Sequence, residues 1–254
     1  MAIAVRNPEQ LRLLLVALAN EIVDANIFWK LHKNLQITAA TFQREMNQAP
    51  GFWGLTLQAH LDAAVFRLCK IYDQHKDGLN LQSLLETIQA NSHVFSEKDF
   101  RERLKGNSFV DSLAADARAP NQEQLTADIA YVSRKTNPKV GTLVELRNKF
   151  YAHRASRDVV AATDIAAAYP FTKADVTDLL KMGLQILNRY SNLFHAQSYS
   201  SQMIGHDDYK TVIEAVHWDI KRHDVEIHRA DIRRDLLAAW DEVQKRARTP
   251  AGDT

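Results

Sequence analysis

The apolar residues of this chain recur at intervals of three and four along most of its length, rather than at every second position. This spacing places them on one face of an α-helix, and only 8 glycines and 6 prolines interrupt it. No alternating pattern of the kind that predicts a half-buried strand competes with it. The pattern therefore predicts an all-α protein, most simply a helical bundle. Its first two apolar faces comprise Leu11, Leu15, Leu18, Ile22, Ala25 and Trp29, then Leu57, Leu61, Ala64, Val65, Leu68 and Tyr72.

Residues that cap helices mark where the predicted helices begin. In Asn137-Pro138 a capping side chain precedes a proline, which favours the first turn of a helix. That helix continues through Leu143, Leu146 and Phe150, so the segment after Leu146 is predicted to be helical too. Further helix starts are predicted at Asn7, Pro50, Asn80, Ser96, Pro120 and Thr172.

The last long helix is predicted from about Asp208 to Arg246. Its apolar residues form an imperfect stripe among densely mixed charges, which is typical of a helix that packs on a bundle or extends toward a partner. We therefore predict two parts, a helical bundle over residues 1–200 and a C-terminal helical extension over residues 201–254.

Composition limits how this chain could bind nucleic acid or a membrane. With 32 Lys and Arg against 31 Asp and Glu the net charge is +1, so no overall field attracts either, and any such binding must come from a local patch. The single cysteine, Cys69, lies in an apolar run and is expected to be a small buried hydrophobe rather than a nucleophile. The absence of a disulfide pair, of a signal peptide and of a long apolar run favours a cytoplasmic protein with no membrane association.

Metal and cofactor motifs are likewise missing from the sequence. His217, His223 and His228 on the last helix are six and five residues apart, which does not align them as a zinc pair, so we expect them on a solvated face. No phosphate-binding loop, dinucleotide fingerprint, zinc-protease motif or serine-hydrolase elbow occurs. We expect neither a metal nor another cofactor.

The segment R-N-K-F-Y-A-H, from Arg147 to His153, resembles the signature of the HEPN superfamily, in which an arginine, a following polar residue and a nearby histidine form a ribonuclease site. Asn148 stands in the polar position. The upstream stretch H-L-D-A-A-V-F-R-L-C-K-I-Y-D, residues 60–73, resembles the HEPN branch named for phage abortive infection of the U type. The two segments together are more specific than either alone.

The resemblance implies that the bundle over residues 1–200 is HEPN-like. It also implies a homodimer in which two motif helices face each other, and metal-independent cleavage of an RNA substrate by Arg147, Asn148 and His153. A role in growth arrest during phage infection or as a toxin is implied too, with a cognate antitoxin or another defence-system protein as a further partner. We add Lys149, Tyr151 and Arg154, which share the helix, as expected substrate-binding residues.

The chemistry of these residue types agrees with that implication. Attack of the RNA 2′-hydroxyl needs a proton acceptor, a proton donor and a group that stabilises charge on the phosphate. Histidine suits the first two roles near neutral pH, and arginine presents a fork of donors to phosphate oxygens. On a regular α-helix, however, Arg147 and His153 lie about 120° apart around the axis and about 9 Å along it, so one copy offers an incomplete site.

Two function classes therefore remain open from the sequence. The first is a dimeric, metal-independent endoribonuclease. The second is a catalytically inactive helical module that binds RNA or a protein partner, in which Arg147 is a structural residue. Arg67, Lys70 and Asp73 on the second helix have two interpretations as well, as a buried ion pair that supports the bundle or as residues that shape an RNA groove.

Overall fold

The computed structural model describes residues 1–75, 77–116, 118–152, 160, 165–202, 205 and 207–248, with the backbone alone at 150–152, 165–166 and 246–248. The protein is all-α, as the sequence predicts, and these described ranges contain no β-strand. The α-helices are α1 (Pro8–Thr41), α2 (Gln43–Met46), α3 (Pro50–Ile71), α4 (Leu81–Ala90), α5 (Glu97–Arg103), α6 (Val110–Ala114), α7 (Gln122–Val132), α8 (Pro138–Leu146), α9 (Ile165–Ala168), α10 (Lys173–His195) and α11 (Tyr209–Arg248). A 3₁₀ turn occupies Ser92–Phe95, and a π-helix occupies Arg147–Ala152.

The apolar stripe predicted on the first helix is the core-facing side of α1. Its six members, from Leu11 to Trp29, are all buried, and the Trp29 indole donates a hydrogen bond of 3.0 Å to Thr177 on α10. On α3 the C-terminal part of the predicted stripe is buried, whereas Leu57 and Leu61 are only half-buried. The core-facing side predicted for α1 is therefore confirmed, and that of α3 is confirmed from Ala64 onward.

Contacts within the chain group it into two compact units. The larger unit is Met1–Gln36 with Leu55–Ile204, and the smaller is Ile37–Gly54 with Gly205–Thr254. The division predicted at residue 200 stays a prediction, but the smaller unit contains more than a C-terminal extension. It also includes the end of α1, all of α2 and the start of α3.

In the larger unit, the end of α3 and the helix α10 approach each other closely. Tyr72, 1% exposed, donates a hydrogen bond of 2.8 Å to the carbonyl of Leu179. A Cβ at Gly183 would lie 3.4 Å from the Tyr72 hydroxyl, which is ordinary van der Waals contact, so Tyr72 packs closely against the backbone of α10 here. Burial raises the pKa of Tyr72, which keeps the hydroxyl protonated as a donor. This anchor fixes the C-terminal end of α3.

The predicted cap of the motif helix is present. The Asn137 side chain accepts a hydrogen bond of 3.0 Å from the backbone N–H of Lys139, and Pro138 occupies the first turn of α8. The Asn137 amide also donates to the Tyr131 carbonyl at 2.8 Å, which ties the start of α8 to the end of α7. Buried Leu143 and Leu146 then orient α8, so that Arg147 follows a helix fixed at both ends.

In the smaller unit, the first half of α11 lies against α2. Ile213 is buried there, and the His217 imidazole contacts Glu45 at 2.7 Å. Arg44 forms a two-bond ion pair with Asp224, with distances of 2.6 and 2.7 Å. The expectation of a solvated face is therefore wrong for His217, because it is held by a buried carboxylate. Among the described helices, none is both long and apolar enough to cross a membrane.

His195, at the C-terminal end of α10, is a buried histidine that the folded protein holds in its neutral form. It is 7% exposed, and its Nε2 lies 3.0 Å from the Ser191 hydroxyl. Burial lowers the pKa of His195 to about 4, and the charges of Arg12 and Arg103 add to the effect. In the unfolded chain the imidazole titrates near pH 6.5.

This difference predicts a pH-dependent stability. Between about pH 4 and 6.5 the unfolded state binds more protons than the folded state, so the free energy of unfolding falls as the pH drops through this range. We expect wild type to lose about 2 kcal/mol more than His195→Gln over that interval, measured by urea unfolding at a series of pH values. His93→Gln, which changes an exposed histidine, is the matched control and should follow wild type. Parallel curves for wild type and His195→Gln would contradict the assignment.

Candidate active site at the end of α8

The R-N-K-F-Y-A-H segment begins where α8 ends. Residues Arg147–Ala152 form a π-helix rather than continuing the α-helix. The regular α-helical spacing expected here is therefore wrong over this turn, because a π-turn holds i to i+5 hydrogen bonds and rotates the following side chains about the axis. Such single π-turns occur frequently at functional sites. His153 and Arg154 lie outside the described residues, as does the side chain of Tyr151.

The Arg147 guanidinium is held on two sides. Its Nη2 lies 3.1 Å from the Asp73 carboxylate, and its Nη1 donates to the Asn148 side-chain oxygen at 3.1 Å. The Arg147 side chain remains 36% exposed. A guanidinium carries five N–H donors in one plane, so these two contacts fix its orientation and leave donors for a further acceptor. The structure thus brings two of the three predicted catalytic residues together and orients the arginine.

Asp73 is positioned by the fold rather than by the motif. It follows the anchored Tyr72 at the end of α3, and its second carboxylate oxygen accepts a 3.2 Å hydrogen bond from the backbone N–H of His75. One oxygen therefore faces the local turn and the other faces Arg147. The sequence signal for Asp73 was its place in the upstream 60–73 segment, but nothing in the sequence paired it with Arg147.

Cys69 lies one helical turn before Asp73 and is 4% exposed. Burial raises the pKa of the Cys69 thiol to about 12, although the nearby Arg147 charge opposes the increase. At physiological pH the sulfur is therefore a protonated thiol, which is a poor nucleophile. The prediction that Cys69 is a small buried hydrophobe is confirmed.

The two other polar residues of the upstream segment belong to a different cluster. Arg67 pairs with Glu21 at 2.7 Å and with Asp24 at 3.1 Å, while Lys70 lies 3.6 Å from Glu21. These side chains are 27–51% exposed, so the expected ion pair exists but is not buried. It connects α1 to α3, and in the described structure Asp73 alone of the three predicted residues contacts Arg147.

Lys149 has its own partners. Its ammonium donates to the Tyr169 hydroxyl, lies 4.4 Å from the centre of the Tyr169 ring and is 3.7 Å from the Glu145 carboxylate. An ammonium over an aromatic face is attracted by the ring quadrupole. Tyr169 was not predicted as a site residue, since it follows Lys149 by twenty residues with no spacing that marks it. Its ring and hydroxyl hold the Lys149 ammonium, which belongs to the predicted catalytic segment.

The structure describes two carboxylates at this site, Asp73 and Glu145, and two cations, the Arg147 guanidinium and the Lys149 ammonium. Guanidinium and ammonium groups both bind phosphate oxygens in proteins. Across the described ranges, no three or more His, Cys, Asp and Glu side chains form a cluster that could hold a metal ion.

Comparison with known proteins places this arrangement in a family. The model of the AbiU2 family, HEPN_AbiU2, matches residues 8–215, which include α3, the capped α8 and the whole R-N-K-F-Y-A-H segment. Neither the curated proteins nor the solved structures contain a match. Because the family model covers most of the chain, including the elements that hold Arg147, the chain belongs to the HEPN AbiU2 family of abortive-infection domains.

Proposed function

We propose that this protein is a metal-independent endoribonuclease that acts in abortive infection, with Arg147, Asn148 and His153 at its catalytic centre. The observation that supports the proposal most strongly is the state of Arg147. It stands on a π-turn at the end of a capped helix, oriented by Asp73 and Asn148, with about a third of its side chain open to solvent. An arginine that served packing alone would not need this exposed and oriented fork.

In the proposed reaction, the RNA 2′-hydroxyl attacks the adjacent phosphorus. The 2′-O–P bond forms while the P–O5′ bond breaks, the 2′-hydroxyl proton goes to a base, and the leaving O5′ takes a proton from an acid. His153 has the chemistry for proton transfer near neutral pH, and Arg147 donates to the non-bridging oxygens as charge develops on them. The products are a 2′,3′-cyclic phosphate and a 5′-hydroxyl.

The proposal includes a homodimer in which two motif segments face one RNA strand. A C2 dimer presents the same surface from both subunits, so the arginine of one copy is available to a phosphate that the other copy also contacts. Lys149, Tyr151 and Arg154 are the proposed contacts to neighbouring phosphates or bases. For Lys149, the ring of Tyr169 supplies a fixed position from which an ammonium reaches an anion.

The alternative is a non-catalytic module that binds RNA or a protein partner. The observation that favours it is the same ion pair, because Asp73 already neutralises Arg147 in the free chain. Under this alternative the pair links α3 to the end of α8, and the exposed edge of Arg147 is a contact for a partner. The two functions predict different consequences of substituting His153 and of substituting Asp73.

The first test is RNA cleavage in excess EDTA. Wild type should produce fragments with 2′,3′-cyclic phosphate ends, and His153→Ala should cut about 10²- to 10⁴-fold more slowly, which is the usual contribution of general acid–base catalysis. Arg147→Ala should show a comparable loss. His223→Ala, which removes an exposed histidine of α11, is the matched control and should retain full activity. Equal cutting by wild type and His153→Ala would contradict the proposal.

The second test concerns Asp73 as a positioning residue for Arg147. Asp73→Asn keeps the shape of the side chain but removes its charge, so the guanidinium is held less firmly at the phosphate. We expect kcat to fall about tenfold with little change in KM and with the pH–rate profile unmoved, because the proton-transfer group is unchanged. The free energy of unfolding should change by about 1 kcal/mol or less, as for other half-exposed ion pairs.

Asp24→Asn is the control for the second test, because Asp24 forms a similar half-exposed ion pair with Arg67 of α3. It should leave kcat unchanged. The non-catalytic alternative predicts another outcome, in which Asp73→Asn and Arg147→Ala lower stability or partner binding equally and no cleavage is seen with any variant.

A further inference from the structure

The C-terminal helix α11 exposes a row of large apolar side chains. Trp218 is 69% exposed, Val225 50%, Ile232 46%, Leu236 67% and Val243 57%. Ile227, Leu237 and Trp240 are also 48–62% exposed, at positions of α11 outside this row. Apolar surface of this extent on one helix is unusual for a soluble monomer and marks an interaction site. The row belongs to the smaller unit, and its function is separate from the proposed nuclease chemistry.

The exposed row follows a seven-residue repeat. Trp218, Val225, Ile232 and Ala239 are spaced by seven, and a second row follows each of them by four. Alternating steps of four and three are those of the a and d positions of a coiled coil. The first row occupies the d positions of the repeat. The second row occupies the a positions and comprises Arg222, Arg229, Leu236 and Val243.

Within its own unit, α11 makes its contacts through a face different from the a and d stripe. Ile213, which is buried, falls at an f position of the same repeat, and His217 and Asp224, which contact α2, fall at c positions. These positions lie more than about 120° from the middle of the a and d stripe. The intramolecular contacts of α11 therefore leave the whole stripe facing outward.

We propose that the stripe of α11 is an antiparallel coiled-coil interface with a second copy of this chain. The two-fold axis passes between Ala230 and Asp231, so that each a residue of one helix meets a d residue of the other. The contact runs from Trp218 to Val243, about 38 Å of helix.

Side-chain sizes complement each other in this register. Trp218 meets the partner's Val243, and Val225 meets the partner's Leu236, so each apolar layer combines a larger with a smaller residue. Arg222 meets the partner's Ala239, where the small methyl leaves room for the arginine stem. Arg229 lies along the partner's Ile232 with its guanidinium directed to solvent. The two arginines in the stripe weaken the contact relative to an all-apolar one.

The charges that flank the stripe select the antiparallel direction. In the proposed register Lys221 lies beside the partner's Glu242, and Glu226 beside the partner's Arg233. His228 lies beside the partner's Asp235. Each pair is of opposite sign or gains it when the histidine is protonated, and the two-fold axis repeats each pair. Charge complementarity of this kind sets orientation and partner choice more than affinity.

A parallel pair in register is less well matched. It sets Lys221 beside the partner's Glu226, which is favourable. It also sets Glu214 beside the partner's Asp219, and His228 beside the partner's Arg233. The one attractive pair is therefore offset by a repulsive carboxylate pair and by a histidine that cannot gain charge without repulsion.

Shifted antiparallel registers place like charges directly together. A shift by seven residues in one direction sets Asp235 beside the partner's Asp235. A shift in the other direction sets Glu226 beside the partner's Glu226. Directly apposed like charges are destabilising, so the proposed register is the favoured one.

Two adjacent leucines provide the first test. Leu236 lies on the stripe. Leu237, 59% exposed, follows it at a b position and lies off the stripe. We expect Leu236→Ser to raise the dissociation constant of the full-length chain about tenfold or more in sedimentation equilibrium, because the axis removes two apolar contacts at once. Leu237→Ser should leave it unchanged. If the chain also associates through another surface, Leu236→Ser should reduce the larger assembly to the smaller one.

A charge exchange tests the flanking pairs. Glu226→Arg alone places two arginines together, and Arg233→Glu alone places two glutamates together, so each should weaken association about tenfold. The double variant restores opposite signs and should associate nearly as wild type does. None of these exposed changes should alter RNA cleavage per chain at saturating protein, which separates this interface from the nuclease proposal.

Thiol cross-linking tests the direction of the helices. In the antiparallel register Val225→Cys with Leu236→Cys brings the two new thiols together between chains, and mild oxidation should link the double variant into a covalent dimer. Neither single variant should cross-link efficiently, and the buried Cys69 should not form a cross-link. Linking by Val225→Cys alone would indicate a parallel pair and overturn the register.

Three further results would overturn the proposal. They are a chain that stays monomeric at every concentration, equal effects of Leu236→Ser and Leu237→Ser on association, and binding of anionic phospholipid vesicles that Leu236→Ser abolishes without any change in oligomeric state.

Discussion

Burial of an apolar stripe on each long helix is the constraint on which the rest of this structure depends. Fully buried residues of α1, α3 and α10, such as Leu15, Leu68 and Leu187, meet in one core of the larger unit. Removal of such surface from water contributes roughly 25 cal/mol per Å² and dominates the stability of a helical bundle. Buried polar contacts then fix the positions of the helices relative to one another in this unit. The main example is the hydrogen bond that Tyr72 donates to the Leu179 carbonyl.

The geometry of the candidate site follows from these helix positions. Asp73 follows Tyr72 directly, and Arg147 follows the buried Leu146, so two helix ends held by core residues bring the ion pair together. The pair itself is half-exposed and contributes little to stability. Its value is orientation, because a guanidinium held at two edges presents its remaining donors in one direction. A surface arginine on a π-turn is thereby positioned by the core beneath it.

The C-terminal helix is the exception to the constraint, and the exception is informative. Ile213 and the contacts to α2 occupy one face of α11, yet the apolar side chains of the stripe from Trp218 to Val243 remain in water. An apolar stripe with flanking charges that complement an inverted copy of itself has the features of an interface between subunits. The proposed association through α11 uses residues different from those of the proposed apposition of the motif segments.

The sequence by itself determined the helices, their capped starts, the buried face of α1, most of that of α3 and the family of the chain, because periodicity and capping are local properties that survive without tertiary context. It also located Arg147 and Asn148. Only the tertiary structure decided that Asp73 is the partner of Arg147 and that Tyr169 lies beside Lys149, since residues 74 and 20 positions apart meet through packing that no spacing encodes. Only the tertiary structure also shows the π-turn, because its hydrogen bonds span one residue more than those of an α-helix. The same holds for the two faces of α11, one that contacts its own unit and one that is exposed.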